Sequence, residues 1–253
     1  MPRGHMAPTV RRRRCGDGSG VDSDRLARIV DAISIGAESD AATYPQRVCA
    51  VGVDLLGVSG AGLTLMTKNG LGAVWASDSA SLAAEDLQFT LGEGPALDAF
   101  RSAAPALEPS LADAAARWPF FGPEARDLGV EAAFSFPLQM GVICLGALNL
   151  FRDRSGFPSD DELADALVLA DVVTEDLIDL QALGALHWGP SDHLGQRARV
   201  HQATGMVSVQ IDSDMSTALA SIRAYAFSNE VSIFDVADKV LARTLRLTSH
   251  TFE

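Results

Sequence analysis

Lys239, Arg243 and Arg246 stand four and three residues apart near the C-terminus, a spacing that brings three cations to one face of a helix. Arg199 and Gln202, three apart in an earlier stretch, share a helical face in the same way. Fixed cations beside a polar amide suit the phosphates of a nucleic acid and the splayed bases of an RNA loop. The same side chains on a merely solvated helix surface would do no chemistry. Groupings that support catalysis do not occur in the sequence: there is no GxSxG elbow, P-loop, HExxH pair or Rossmann glycine pattern. His187, His193 and His201 are irregularly spaced, with no cysteine nearby to complete a zinc site, and read as surface residues. Asp160 and Asp161 have no identifiable acid–base partner. Cys15, Cys49 and Cys144 are odd in number and far apart, which suits reduced thiols in the cytoplasm. The expected chemistry is binding, by a protein that is not an enzyme and carries no resident cofactor or metal.

The net charge of −13 is unfavourable for a nucleic-acid binder until it is mapped along the chain. Residues 1–20 carry Arg3 and Arg11 to Arg14 against Asp17 alone, a net +4. Residues 21–193 hold nine basic and 26 acidic residues, a net −17, whereas residues 194–247 hold six against five, a net +1. The acidity belongs to the middle, and a local cationic face remains available at the C-terminal end. No apolar run approaches the roughly 20 residues that span a bilayer, and no signal-peptide core is present, so neither membrane nor export is expected.

The elements that must position these residues follow from periodicity. Residues 1–20, rich in Gly, Pro and Arg, read as a disordered basic arm. Leu26, Ile29, Val30 and Ile33 recur at helical spacing, and a second helix starts at Pro45 with Val48, Val51, Val53 and Leu55. Ala61–Thr67 and Ala73–Ser77 read as strands joined across Asn69-Gly70, a hairpin signal. After an irregular stretch, Glu131–Met140 and Val142–Phe151 form a second strand pair that turns near Gly141. A long helix then opens at Ser159, where Ser159 and Glu162 make a capping box, and runs towards Leu183. The order predicts an α+β domain around an antiparallel sheet, over residues 22–186. The long helix is apolar on more than one face (Leu163, Leu167, Ala170 and Leu177; Val168, Val172 and Ile178). It needs cover on two sides, the second supplied by a partner subunit or by its own domain.

Trp188-Gly-Pro190 marks a linker over residues 187–193, beyond which three short helices are expected across 194–247. Leu194, Ala198, Gly205 and Val209 define a stripe of the first, and Met215, Ala218, Leu219, Ile222 and Ala226 the core face of the second. Ile233, Val236, Ala237, Val240 and Leu241 form that of the third, opened by Ser232 and Asp235 as a capping box. So small a core gains from dimerisation, and a parallel homodimer through the long helix and the first of these three is expected.

His201-Gln-Ala-Thr-Gly-Met206, Ala218-Leu-Ala-Ser-Ile-Arg-Ala-Tyr-Ala226 and Asp235-Val-Ala237 follow one another in order. This segment, Leu194 to Leu247, resembles the ANTAR family, with its Ala-Lys-Gly step, Ala…Leu-Arg…Ala helix and Asp-Val-Ala opening. Thr204 stands where the family has lysine, and Ile222 replaces the leucine. The resemblance implies binding to paired RNA hairpins in leader transcripts and suppression of terminators. On that reading Arg199, Gln202, Thr204, Arg223, Lys239 and Arg243 form the RNA-binding set, with Arg223 at the Leu-Arg position.

Leu91-Gly-Glu-Gly-Pro95, Trp118-Pro119, Phe136-Pro-Leu138 and Leu145-Gly-Ala-Leu-Asn-Leu150 give the preceding region, about residues 22–184, a resemblance to GAF sensor domains. GAF folds hold small ligands between the sheet and overlying loops. That implies a pocket lined by Trp75, Phe89, Phe134 and Phe136, with the Leu87–Phe100 loop above it, for an unidentified small molecule; a closed core of the same residues is the alternative. A cyclic-nucleotide signature is partly present in Asn149 and Phe157…Asp161-Glu162, residues that equally make a loop anchor and a helix cap. The whole reads as a cytoplasmic, homodimeric GAF and ANTAR antitermination regulator. Two alternatives stand: a DNA-binding helix-turn-helix factor, whose recognition helix would have to follow Asp235-Val-Ala237, and a dimeric sensor or scaffold without RNA binding.

Overall fold

A computed structural model describes residues 20–35, 44–67, 70–182 and 192–248. The expected basic arm and the Trp188-Gly-Pro190 linker lie outside the described residues, as does Asn69 of the hairpin. Two helices come first, α1 (Gly20–Ile35) and α2 (Tyr44–Leu56), followed by the hairpin β1 (Gly60–Thr67) and β2 (Gly70–Ala76). The stretch expected to be irregular is in fact mostly ordered. It holds α3 (Ser79–Leu91), α4 (Pro95–Ser102), the short β3 (Ala106–Glu108) and α5 (Phe121–Asp127). The Leu87–Phe100 segment is therefore two helices joined by a tight turn rather than a loop. Gly92 ends α3 in the left-handed region at φ 73°, Gly94 sits at φ 129°, and Pro95 opens α4.

The second hairpin, β4 (Ala132–Met140) and β5 (Ile143–Arg152), turns at Gly141 as expected and completes a five-stranded antiparallel sheet of order β2-β1-β5-β4-β3. One sheet face carries Leu63, Trp75, Phe134, Phe136, Leu148 and Leu150 and packs on α1, α2 and α6 (Asp160–Ala182). Side chains of this size contribute about 1.5–3 kcal/mol each when buried, which makes this the main core. The Ser159–Glu162 capping box forms: the Ser159 amide donates to Glu162 Oε2 at 2.6 Å and the Glu162 amide to Ser159 Oγ at 3.3 Å. The second side of α6 is covered largely from within the chain, where Arg25 and Arg28 of α1 both pair with the buried Asp165.

The chain continues as α7 (Asp192–Gln210), α8 (Met215–Ser228) and α9 (Ile233–Leu241). The core faces expected of α8 and α9 are buried, with Ala218, Leu219, Ile222 and Ala226 meeting Ile233, Val236, Ala237 and Val240. On α7 the expectation fails. Val200, Ala203, Thr204 and Val207 face inwards, whereas Ala198 is exposed and Val209 is 83% exposed. Ser232 caps α9 through the Phe234 amide, one residue short of the bond a capping box with Asp235 would use. The helix also stops earlier than the cation spacing assumed. The Arg243 amide donates to the Val240 carbonyl and the Thr244 amide to that of Lys239, with Arg243 at φ 60°. That is a Schellman ending built without glycine. Arg243 and Arg246 lie beyond α9, so Lys239, Arg243 and Arg246 do not form one helical face.

Candidate functional site

The cations expected to meet RNA divide into two groups. Arg199 is exposed on α7, its Nε 2.6 Å from Asp238 Oδ1 on α9, and the exposed Gln202 lies one turn further along α7. Lys239 is exposed beside Asp238, and Arg243 is exposed at the turn that follows. Thr204 is not on that surface. It is fully buried, its hydroxyl donating to the Val200 carbonyl at 2.7 Å, because its helical position points into the three-helix core. Arg223 is also turned inwards. Its Nε and Nη2 donate to the Phe89 carbonyl on α3, not to Asp212 or Glu230, and burial together with the nearby Arg101 charge lowers its pKa to about 10.

Beneath α3 the second sheet face is lined by glycines and small polar residues, flanked by Val74, Ala133 and Phe151. It presents Gly60, Gly62 and Thr64 from β1, Asn149 from β5 and Ser135 from β4, with Asn149 opposite both Gly62 and Ser135. The two glycines let α3 lie directly on the strand: a Cβ at Gly62 would overlap the Glu85 carboxylate, and one at Gly60 the Ser81 hydroxyl. Glu85 is completely buried there. Thr64 Oγ1 donates to its Oε2 at 2.8 Å and Asn149 Nδ2 to its Oε1 at 2.5 Å, while Ser135 Oγ donates to Asn149 Oδ1. Burial pushes the Glu85 carboxyl up to about 7, against the opposing pull of these hydrogen bonds and of the Arg197 charge. Gln88, one turn on, accepts from the Ala96 amide at 2.7 Å and ties α3 to α4.

Spacing alone drew no attention to Arg197, yet it joins the two halves of the chain. The side chain is buried, with Nη1 donating to the Gly72 carbonyl at 3.2 Å and Nη2 to the Glu85 carbonyl at 3.0 Å and to Asp86 Oδ1 at 2.8 Å. Its guanidinium lies 4.8 Å from the centroid of Phe89. Phe89 in turn stacks on Phe234 of α9 at 6.1 Å and meets His201 of α7 edge-on at 6.0 Å, so His201 is half-buried against Phe89 rather than fully at the surface. Phe120 and Phe227 close the rim at 5.3 Å. A signal for Arg197 existed, since it precedes Val200 and Thr204 by three and seven residues and so shares the buried face of α7.

The expected ligand pocket is not assembled. Trp75, Phe134 and Phe136 lie on the face covered by α1, α2 and α6, whereas Phe89 sits on the other side with the C-terminal helices. Strand alternation separates them: residues on the Phe134 face cannot meet a helix lying over Ser135. Phe134 and Phe136 line only a cavity of about 10 Å³, shared with Arg152 and Glu162. The cyclic-nucleotide residues are dispersed too. Asn149 is buried on Glu85, Glu162 caps α6 and pairs with Arg152, Asp161 pairs with Arg25, and Phe157 is exposed.

No family model matches this chain, and neither does any curated protein. Among solved structures it is similar to the GAF domain of an Acinetobacter phosphoenolpyruvate-protein phosphotransferase, at 14% identity and a TM-score of 0.46 over 67% of this chain and 100% of that one. It is also similar to the GAF domain of a Coxiella burnetii phosphoenolpyruvate-protein phosphotransferase, at 16% identity and a TM-score of 0.48 over 65% and 97%. A third likeness is to an N-acylhomoserine lactone dependent LuxR family transcription factor from Burkholderia cenocepacia, at 18% identity and 0.48 over 65% and 99%. These are likenesses of fold and decide nothing about activity. No described helix is long and apolar enough to cross a membrane.

Proposed function

We propose that this chain is an RNA-binding regulator of transcription antitermination, a GAF-type sensor domain governing a C-terminal ANTAR module that binds paired RNA hairpins. One observation carries the reading. Ala203, Ala218, Ala226 and Ala237, the small residues of the ordered ANTAR motifs, are all buried where three helices must approach closely. Arg199, Gln202, Lys239 and Arg243 are left exposed on the same unit, which has no net acidity although the chain as a whole is strongly acidic. The protein acts in this reading as a cytoplasmic homodimer, without catalysis. Titration with a paired-hairpin RNA across a salt series tests it. Removing one phosphate-binding cation, as in Arg199→Ala, Lys239→Ala or Arg243→Ala, should flatten the salt dependence by about one unit of slope. Wild-type binding that is absent at low salt, or that prefers duplex DNA, refutes the reading. A sensor or scaffold without RNA binding is the second reading, supported by the inward turn of Thr204 and Arg223.

A further inference from the structure

We propose that the contact between α3 and the C-terminal helices is a releasable latch, pivoting on Phe89, that withholds Arg223 from RNA; this rests on the RNA-binding reading above. Arg223 is the one cation of the expected RNA set whose guanidinium is taken up outside the C-terminal helices; Arg199 pairs with Asp238 within them. Both of its donating nitrogens go to a backbone carbonyl of α3, a neutral acceptor that a phosphate outbids. Burial first, and repulsion from the charge of Arg101 on α4 second, disfavour the Arg223 cation in the docked state. A polyanion would relieve that repulsion, whereas the docked state must bear it.

The remaining anchors surround the pivot. Asp86 holds Arg197 from a partly exposed position, and Phe120 and Phe227 meet at the rim with Phe227 62% exposed. The junction they border is itself a buried cluster, in which Phe89, Ala96 and Leu97 share a core with Val200, Ile222 and Val236, so release parts those residues while the Leu63–Phe134 core on the other sheet face stays closed. The element they grip is also the one that covers the glycine-bearing face of the sheet. Glu85 engages Thr64 and Asn149 through its carboxylate and Arg197 through its carbonyl, so a shift of α3 against the sheet shifts the latch with it.

The test uses the full chain carrying Asp86→Ala and Phe227→Ala together, two changes at partly exposed positions, with Asp86→Asn alone as a milder variant. Amide hydrogen exchange reports on the last turn of α3 and on α7, and a paired-hairpin RNA reports on binding. The double variant should exchange faster at both segments and bind the RNA about tenfold more tightly, with a salt dependence steeper by about one unit. Asp86→Asn should move both readouts the same way by less. Adding Arg223→Ala to the double variant should abolish the gain. Faster exchange with unchanged RNA affinity overturns the latch and leaves the RNA reading intact, as does a gain that survives Arg223→Ala. Unchanged exchange overturns it as well. Faster exchange with no RNA binding by any of the proteins refutes the RNA reading, and the latch's inhibitory role with it.

Discussion

Arg223 on α8 donates from Nε and Nη2 to the Phe89 carbonyl on α3, at 3.2 and 2.7 Å, and so joins two residues 134 positions apart. Phe89 lies in the last turn of α3, which ends at Leu91, where carbonyls lack intrahelical partners and the helix dipole is negative. The guanidinium answers both conditions at once. Burial and Arg101 bring its pKa down only to about 10, so it stays charged at neutral pH.

Arg223→Ala should therefore destabilise the protein by about 1–3 kcal/mol, the usual cost of stranding a buried acceptor of a charge-assisted hydrogen bond. Arg223→Lys should recover part of that stability, since an ammonium supplies charge without the two-nitrogen fork. Urea unfolding measures both. A destabilisation no larger than that of an exposed surface residue would mean that the pairing carries no structural weight.

Glu85 should give stability a pH dependence of its own. Its carboxyl titrates near 7 in the fold, above the ordinary carboxylate range, so the fold favours the protonated form. The stabilisation is complete below the ordinary carboxyl pKa and is lost as pH rises through about 7. Asp78, Glu162 and Asp214 are held below their ordinary values and act oppositely at lower pH, but they are common to wild type and variant. Glu85→Gln should remove this dependence and be more stable than wild type near pH 8 by an amount on the order of a few kcal/mol. Melting temperatures of the two proteins between about pH 4.5 and pH 8 give the difference curve, and parallel curves would rule the effect out.

Thr204→Lys distinguishes a core position from an RNA contact. With Thr204 buried against Val200, a lysine there should cost about 2–5 kcal/mol unless its chain escapes to solvent. If instead the variant keeps its stability and gains RNA affinity, the position faces RNA after all.

The close approach of α3 to β1 predicts coupled substitutions. Gly62→Ala should destabilise by about 1–3 kcal/mol, because the new methyl meets the Glu85 side chain. Glu85→Ala in the same chain should recover much of that stability, giving a non-additive double-mutant cycle. Additive effects would place the strain elsewhere.

Leu167 is 42% exposed on α6, on the side of the helix that neither the sheet nor α1 fully covers. Leu167→Glu should shift the protein from dimer towards monomer in light scattering while leaving its melting temperature within a few degrees. A wild type that is monomeric at micromolar concentration removes the dimer from the proposal.

The sheet, the two hairpins, the α6 cap and the inner faces of α8 and α9 are legible in the sequence because each obeys a simple period or a short capping motif. The helices α3 and α4 are not. Glu85 and Gln88 are polar yet buried, since α3 is covered on one side by the sheet and on the other by the C-terminal helices, and a helix buried on two sides shows no amphipathic stripe. The inner face of α7 is hidden for a related reason: its row runs Arg197, Val200, Ala203, Thr204 and Val207, and an arginine that donates across a domain junction does not look like core. Arg243 gives no stop signal because the left-handed position that ends α9 is usually a glycine. Which cations face outwards is therefore only partly readable, since that depends on contacts between residues more than a hundred positions apart.

Gly60 and Gly62 leave the strand beneath α3 with almost no side-chain relief of its own. Whatever space could open on that face would take its shape from the underside of one helix, chiefly from Ser81, Glu85 and Gln88. Glu85 engages Thr64 and Asn149 from that helix and Gln88 engages the Ala96 amide, so these positions set how α3 meets both the strands and α4. The seating of α3 is thus set along about two turns of one helix, with the glycine-bearing strand as its floor.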